Sequence, residues 1–244
     1  MKFSLVIPCY NEVASLPQLL ERCHGVIEAA GPEVEIILVD NGSQDNSAQV
    51  LGRLLPWHPG CRSIRVEQNQ GYGHGILAGL RAASGDILGW THADLQTDPR
   101  DVLRGWALFD AHGPDIFVKG RRHGRPLTDV IFTSGMSAFE TLLLGHPMSD
   151  INAQPTLFSR RFFEGWQRAP HDFSLDLYAY YQARRQRLAV QRFPVRFDAR
   201  THGVSHWNVN WAAKRKFIWR TLSFSLQLRK SLQLSPPPQR RREP

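Results

Sequence analysis

Short, wholly apolar runs, each closed by a proline, an aspartate or a turn, limit what this chain can fold into. Phe3 to Ile7 ends on Pro8, and Glu35-Ile36-Ile37-Leu38-Val39 runs into Asp40. Ser63 to Glu67 and Asp86-Ile87-Leu88-Gly89-Trp90 are two more. Runs this short, without polar alternation, predict strands covered on both faces. Between them, residues 14–30 place Leu16, Leu19, Leu20, Cys23, Val26 and Ile27 at helical spacing, closed by Gly31-Pro32. Residues 46–55 and 75–83 repeat the helical pattern. Strand and helix alternating in this way predict an α/β fold, a Rossmann-like, mostly parallel sheet with helices on both faces. Ligands of such sheets lie beyond the carboxyl ends of the strands. That rule selects Pro8 to Glu12, Asp40 to Asp45, Gln68 to Gly75 and Thr91 to Asp98.

Beyond residue 115 the alternation weakens. Ile116-Phe117-Val118 and Thr156-Leu157-Phe158 predict strands, residues 128–145 and 173–185 helices, and Leu188 to Phe197 a strand. Residues 1–115 therefore form a donor half and residues 116–206 an acceptor half of one domain. Residues 207–234 form a basic and apolar helical segment, and the proline- and arginine-rich residues 235–244 a disordered tail.

With 244 residues, 42% of them hydrophobic and 21% charged, the chain has material for a full core. Its start has no signal-peptide pattern, and no uncharged stretch approaches the roughly 20 residues that span a bilayer. The three cysteines, Cys9, Cys23 and Cys61, suit reduced thiols. The expectation is a cytoplasmic protein, soluble or peripheral on the cytoplasmic membrane face. A net charge of +8 suits phosphorylated substrates or an anionic membrane surface. No nucleic-acid-binding module accompanies it, so nucleic acid is not expected as a partner.

The segment Trp90-Thr91-His92-Ala93-Asp94-Leu95-Gln96-Thr97-Asp98-Pro99 carries the most chemistry. If it leaves the sheet extended, His92, Asp94 and Gln96 share one face and offer a nitrogen and two oxygens to a divalent ion. Mn2+ or Mg2+ held there could bridge the phosphates of a nucleotide diphosphate. The alternative is a polar loop leading into a helix, with Asp98 as N-cap and Pro99 at the first helical position.

Val6-Ile7-Pro8-Cys9-Tyr10-Asn11-Glu12, Val39-Asp40-Asn41-Gly42-Ser43-Gln44-Asp45, Asn69-Gln70-Gly71-Tyr72-Gly73, Ala83-Ser84-Gly85-Asp86 and Ala93-Asp94-Leu95-Gln96 resemble, in order and spacing, family-two inverting glycosyltransferases. Within that family the likeness is to polyprenyl-phosphate (dolichol-phosphate mannose type) sugar transferases. The resemblance implies a GT-A fold and a UDP- or GDP-sugar donor. Pro8, Tyr10 and Glu12 would line the nucleotide pocket with Asn69 and Gly73, Asp40 would take base or ribose hydrogens, and Asp94 and Gln96 would hold metal and diphosphate. For Glu12 the competing reading is helix capping beside Asn11 as N-cap. The glycines at 71, 73, 75 and 79 would let backbone approach the ligand, unless turn geometry alone requires them. His92 stands where the family has an aspartate, and a neutral imidazole there would favour Mn2+ over Mg2+. Arg200-Thr-His-Gly203-Val-Ser205-His206 resembles the family's Arg-x-x-Gly-x-Ser signature.

The acceptor decides the mechanism. A lipid phosphate is already anionic and needs cationic positioning, for which Arg121, Arg122, Arg125 and Ser205 are candidates. A hydroxyl of a saccharide or protein needs a base, for which Asp150, Asp172 and Asp176 are candidates. Asp94, Asp150 and Arg200 are the expected catalytic set. Two departures weigh against the lipid phosphate: Gln154-Pro155 replaces a glycine and aromatic, and the arginine usual near Asp129 is absent. Lys214, Arg215, Lys216, Arg220, Arg229 and Lys230, among apolar residues, suit contact with a membrane surface or packing on the domain. A nucleotide-sugar-binding protein without catalysis is the remaining alternative.

Overall fold

A computed structural model describes residues 1–198 and 211–233; within 211–220, side chains are described only for Arg215 and Trp219. Seven strands form one sheet: β1 (Phe3–Cys9), β2 (Val34–Asn41), β3 (Cys61–Val66), β4 (Ile87–Trp90), β5 (Ile116–His123), β6 (Thr156–Ser159) and β7 (Ala189–Arg196). Their order is β3-β2-β1-β4-β6-β5-β7. All pairings are parallel except those of β6, which runs antiparallel between β4 and β5. Because β6 pairs with β4 and β5, the donor and acceptor halves share one sheet.

The expected helices are α1 (Leu16–Ala30), α2 (Ser47–Leu54), α3 (Tyr72–Ala82), α4 (Asp101–His112), α5 (Leu127–Leu144), α7 (Leu175–Arg185) and α8 (Trp211–Gln233). A short helix, α6 (Arg160–Glu164), was not expected; Ser159 caps it by accepting the Phe162 N–H. Residues 199–210 and 234–244 lie outside the described residues, and with them Arg200, Ser205, the 206 boundary and the tail.

The unalternating strands are explained by two core layers. Phe3, Leu5 and Ile7 pack under α1, where Leu16, Leu19, Leu20, Cys23 and Val26 are buried. Val6, Ile37 and Val39 face the other way, onto Ile76, Leu77 and Leu80 of α3. Each such side chain contributes roughly 1.5–3 kcal/mol on burial.

Local expectations need three corrections. Asn11 is not a helix cap: α1 begins four residues past Glu12, and the Glu12 carbonyl accepts the Ser15 and Leu16 N–H groups. Asp98 caps a turn ahead of α4, its Oδ1 accepting the Arg100 N–H at 2.9 Å. A single helix does reach membrane-spanning length and apolarity: α5, 18 residues with mean hydropathy 1.2.

Candidate active site

The carboxyl edges of β1, β2, β3 and β4 carry four loops bound to one another. Asn11, in the left-handed region at φ 54, donates its N–H to Ser43 Oγ and accepts the Gln44 N–H on Oδ1. The Glu12 N–H donates to Ser47 Oγ and the Val13 N–H to Asp45 Oδ2. These bonds join the β1 loop to the β2 loop. Asn41 Nδ2 donates to the Gly71 carbonyl at 3.0 Å, joining β2 to the β3 loop. The His92 ring stacks on Tyr72 at 5.5 Å, joining that loop to β4. Pro8, Tyr10, Glu12, Asp40, Asn69 and Asp94 thus lie along one continuous rim.

On this rim Asp40 is buried. Its Oδ1 accepts the Ser43 N–H at 2.9 Å, while Oδ2 lies 3.4 Å from Arg65 Nη1 with no hydrogen bond. A buried carboxylate oxygen left in this state can accept a ligand N–H or hydroxyl. Tyr10 is exposed beside it, with a ring face open to stacking. Asn69 serves the loop itself, its Oδ1 accepting the Gly71 N–H at 2.8 Å.

Gly73 is placed differently from the expectation. A Cβ there would lie 2.6 Å from the Pro170 carbonyl oxygen and 2.7 Å from that of Asp172. Gly71, at φ 113, would bring a Cβ within 2.5 Å of the His171 carbonyl oxygen. The close approach these glycines permit is to the backbone of residues 170–172, ahead of α7. Tyr72 between them is stacked on Phe173 at 4.6 Å as well as on His92. Burial, then the charges of Asp176 and Asp94, push the Tyr72 hydroxyl well above its usual range.

The segment after β4 is not extended. Leu95 takes a left-handed conformation at φ 59, and Asp94 Oδ1 accepts the Gln96 N–H at 3.1 Å. Alternation therefore does not hold beyond Asp94, and His92, Asp94 and Gln96 are not aligned by strand geometry. The Gln96 side chain donates to the Asp198 carbonyl at 3.3 Å, and Gln96 accepts the Asp198 N–H on its own carbonyl. Among the described residues no group of three or more His, Cys, Asp or Glu side chains is placed to hold a metal ion. Buried Asp94 at the strand end fits an ion whose shell is completed by diphosphate oxygens and water, not a preformed protein cage.

Arg121 and Arg122, adjacent on β5, are separated by the strand. Arg121 is exposed, whereas Arg122 binds Asp150 through its backbone N–H at 3.0 Å and its guanidinium. Arg125 Nη2 lies 3.5 Å and Arg192 Nη2 3.8 Å from the same carboxylate. Three guanidinium groups thus share one carboxylate. Burial alone would raise Asp150, but the Arg122 hydrogen bonds and the charges of Arg122 and Arg125 hold it below the usual range. Such a carboxylate is a poor proton acceptor, so Asp150 organises cations and is not placed as a base. Arg125 Nε, Arg192 Nε and Arg192 Nη2 are buried without hydrogen-bond partners.

Four residues here were not anticipated as site residues. Arg192 comes from β7, far along the chain. Lys119 of β5 is 0% exposed, donates to Thr156 Oγ1 at 2.7 Å and lies 3.8 Å from Asp176 Oδ1. Gln154 Nε2 donates to that same Asp176 oxygen at 2.7 Å and reaches Tyr72 Oη at 3.4 Å. A lysine at an inward position of an apolar strand, two residues from Phe117, was the available signal for this network.

The strand order, the single antiparallel strand and the rim of loops define a GT-A nucleotide-sugar fold. The chain belongs to glycosyl transferase family 2, whose sequence profile matches residues 4–164. It is 43% identical over 103 residues to an undecaprenyl-phosphate 4-deoxy-4-formamido-L-arabinose transferase of Pseudomonas paraeruginosa, covering 41% of this chain and 30% of that protein. The Yersinia enterocolitica protein of that name is 34% identical over 169 residues, 67% of this chain and 50% of that one. The chain thus spans at most about half the length of these curated relatives. Among solved structures it is similar to the glucosyl-3-phosphoglycerate synthase of Mycobacterium tuberculosis in complex with Mn2+, UDP and glucosyl-3-phosphoglycerate. That match has TM-score 0.68 and 20% identity, over 93% of this chain and 79% of that one. A Pyrobaculum calidifontis mannosyltransferase in complex with GDP-Man and Mn2+ matches with TM-score 0.65 and 16% identity, over 97% and 66%.

Proposed function

We propose that this chain transfers a sugar, with inversion, from a UDP- or GDP-sugar to polyprenyl phosphate. The observation that carries the reading is the pairing of two sites in one sheet. An acid-bearing rim holds Asp40 and Asp94, and a cluster of three arginines, 122, 125 and 192, surrounds Asp150. The named transferase relatives, which print an undecaprenyl-phosphate acceptor, support the same acceptor class.

On this reading Tyr10 stacks on the base and Asp40 accepts base or ribose hydrogens. Asp94 carries Mn2+ or Mg2+ on the diphosphate, with His92 and Gln96 as further candidates from the same loop. When bound, the ion neutralises charge on the leaving diphosphate. The acceptor phosphate oxygen is anionic near neutral pH and attacks without a general base. The work left to the protein is to hold that anion opposite the leaving group. Arg122, Arg125 and Arg192 supply donors of fixed planar geometry for it. Arg121, exposed on the other side of β5, could act only at the periphery; Arg200 and Ser205 remain candidates from the undescribed segment. A polyprenyl acceptor puts the reaction at a membrane surface.

The test is calorimetric titration with UDP- and GDP-sugars, with and without Mn2+, followed by transfer assays on polyprenyl phosphate in detergent. Metal-dependent donor binding that Asp94→Ala abolishes is expected, with Arg192→Ala raising the acceptor KM. Transfer to soluble saccharides alone would refute the acceptor.

A further inference from the structure

Helix α5 is built inside out for a protein in water. Its polar side chains face the molecule. Thr133 Oγ1 accepts from Arg125 Nη1 at 3.1 Å, and Ser137 is buried. Glu140 accepts the Ser225 hydroxyl of α8 at 2.8 Å, and Thr141 Oγ1 both accepts the Met148 N–H and donates to the Met148 carbonyl. Its large apolar side chains face outward: Leu127 is 73% exposed, Ile131 64% and Leu142 84%, with Phe139 beside them. These positions recur at helical spacing and form one stripe. The two acids of α5 leave that stripe uncharged, since Glu140 is buried and Asp129 half-buried.

Helix α8 packs against α5 through Ser225 and buried Leu228 and extends the same surface. It adds Trp219, 65% exposed, and exposed Leu226, flanked by exposed Arg215, Arg229 and Lys230. Six of the ten large hydrophobic side chains that stand exposed among the described residues lie on these two helices. A tryptophan, outward leucines and cations without an exposed acid form the pattern of helices lying in a bilayer interface. An 18-residue helix extends about 27 Å, enough to lie flat along such a surface.

We infer that the outward face of α5 and α8 docks on an anionic phospholipid surface, with α5 lying in the interface plane. The charge pattern selects this occupant. Cations at the edge of an uncharged apolar stripe complement anionic headgroups around acyl chains. The dock also adjoins the arginine cluster, since Arg125 binds Asp150 and α5 alike. Its purpose rests on the polyprenyl-phosphate acceptor proposed above: a phosphate carried in the membrane would meet Arg122, Arg125 and Arg192 at the edge of the docked face.

Co-sedimentation of the full chain with vesicles, in the absence of donor and acceptor, tests docking separately from transfer. Vesicles of equal parts phosphatidylglycerol and phosphatidylcholine are expected to bind it, more weakly as salt rises, and pure phosphatidylcholine far less. The variant Ile131→Glu with Leu142→Glu alters only exposed positions. It should keep its far-UV spectrum, melting temperature and donor binding while partitioning at least about tenfold more weakly. Arg229→Glu with Lys230→Glu should lose the preference for phosphatidylglycerol. Equal binding by the Ile131/Leu142 variant would overturn the assignment. So would a concentration-dependent dimer abolished by that variant, which would make a second copy the occupant. Retention on membranes through alkaline carbonate washing would make α5 a spanning helix and overturn it too.

Discussion

The Lys119 ammonium and the Asp176 carboxylate face each other at 3.8 Å in the core, with the lysine fully buried on β5 and the aspartate on the first turn of α7. Burial lowers Lys119 to about 8, against the opposing pull of Asp176. Between that value and the ordinary 10.5, the unfolded chain binds this proton more tightly than the folded one. Stability from this group therefore rises with pH across that window. Lys119→Met leaves a buried carboxylate held by Gln154 alone and should cost about 3–5 kcal/mol. Adding Asp176→Leu should recover most of that loss. Urea unfolding of the two single variants and the double variant measures the coupling, and additive losses would show that the pair is not ionic.

Asp150 makes the opposite prediction in acid. Its folded pKa is depressed, so its contribution is complete above the ordinary aspartate value and disappears as pH falls through the depressed one. Asp150→Asn should destabilise the protein by roughly 2–4 kcal/mol at pH 7, because three guanidinium groups then share no anion. The gap from wild type should close below about pH 4. A constant gap across pH would mean that packing, not charge, is what Asp150 supplies.

These two carboxylates mark where sequence reading stops. Runs such as Ile36 to Val39 are legible because both faces are buried, and the sheet rule then selects the correct loops. Asp40 and Asp94 fall on that rim for the same reason. The alignment of His92, Asp94 and Gln96 was not legible, because it turns on one dihedral angle, the φ of Leu95. Arg192 and Gln154 join the site only through pairings between distant strands. The outward stripe of α5 was hidden too, since helical periodicity reveals a face without saying which side the core is on.

Gly73→Ala tests whether the glycine loop serves the fold or the donor directly. The added methyl would strike backbone oxygens of residues 170–172, which cannot yield as a flexible side chain would. We expect a loss of roughly 1–3 kcal/mol in stability. Donor affinity should fall with it, because Tyr72 and His92 move with the loop. Undiminished melting temperature with lost UDP binding would instead place the ligand directly against Gly73.

Glu140 gives the α5–α8 contact a pH dependence of its own. Burial raises its carboxyl to about 7, with the Ser225 hydrogen bond pulling the other way, and Oε2 is buried without a partner. A neutral carboxyl is therefore the form the contact prefers. Because the folded pKa exceeds the ordinary 4.5, the folded chain binds the extra proton between those values. Stability from this group is complete below about pH 4.5 and falls as pH rises toward 7, by on the order of 3 kcal/mol. Glu140→Gln keeps an acceptor for Ser225 and removes the titration. It should match wild type near pH 5 and exceed it near pH 8, as read by thermal melts across that range. Amide exchange should show where the difference arises: protection in α8 should fall with rising pH in wild type and stay level in the variant. If wild type and Glu140→Gln lose stability in parallel, the titrating group lies elsewhere and the α5–α8 contact is indifferent to pH.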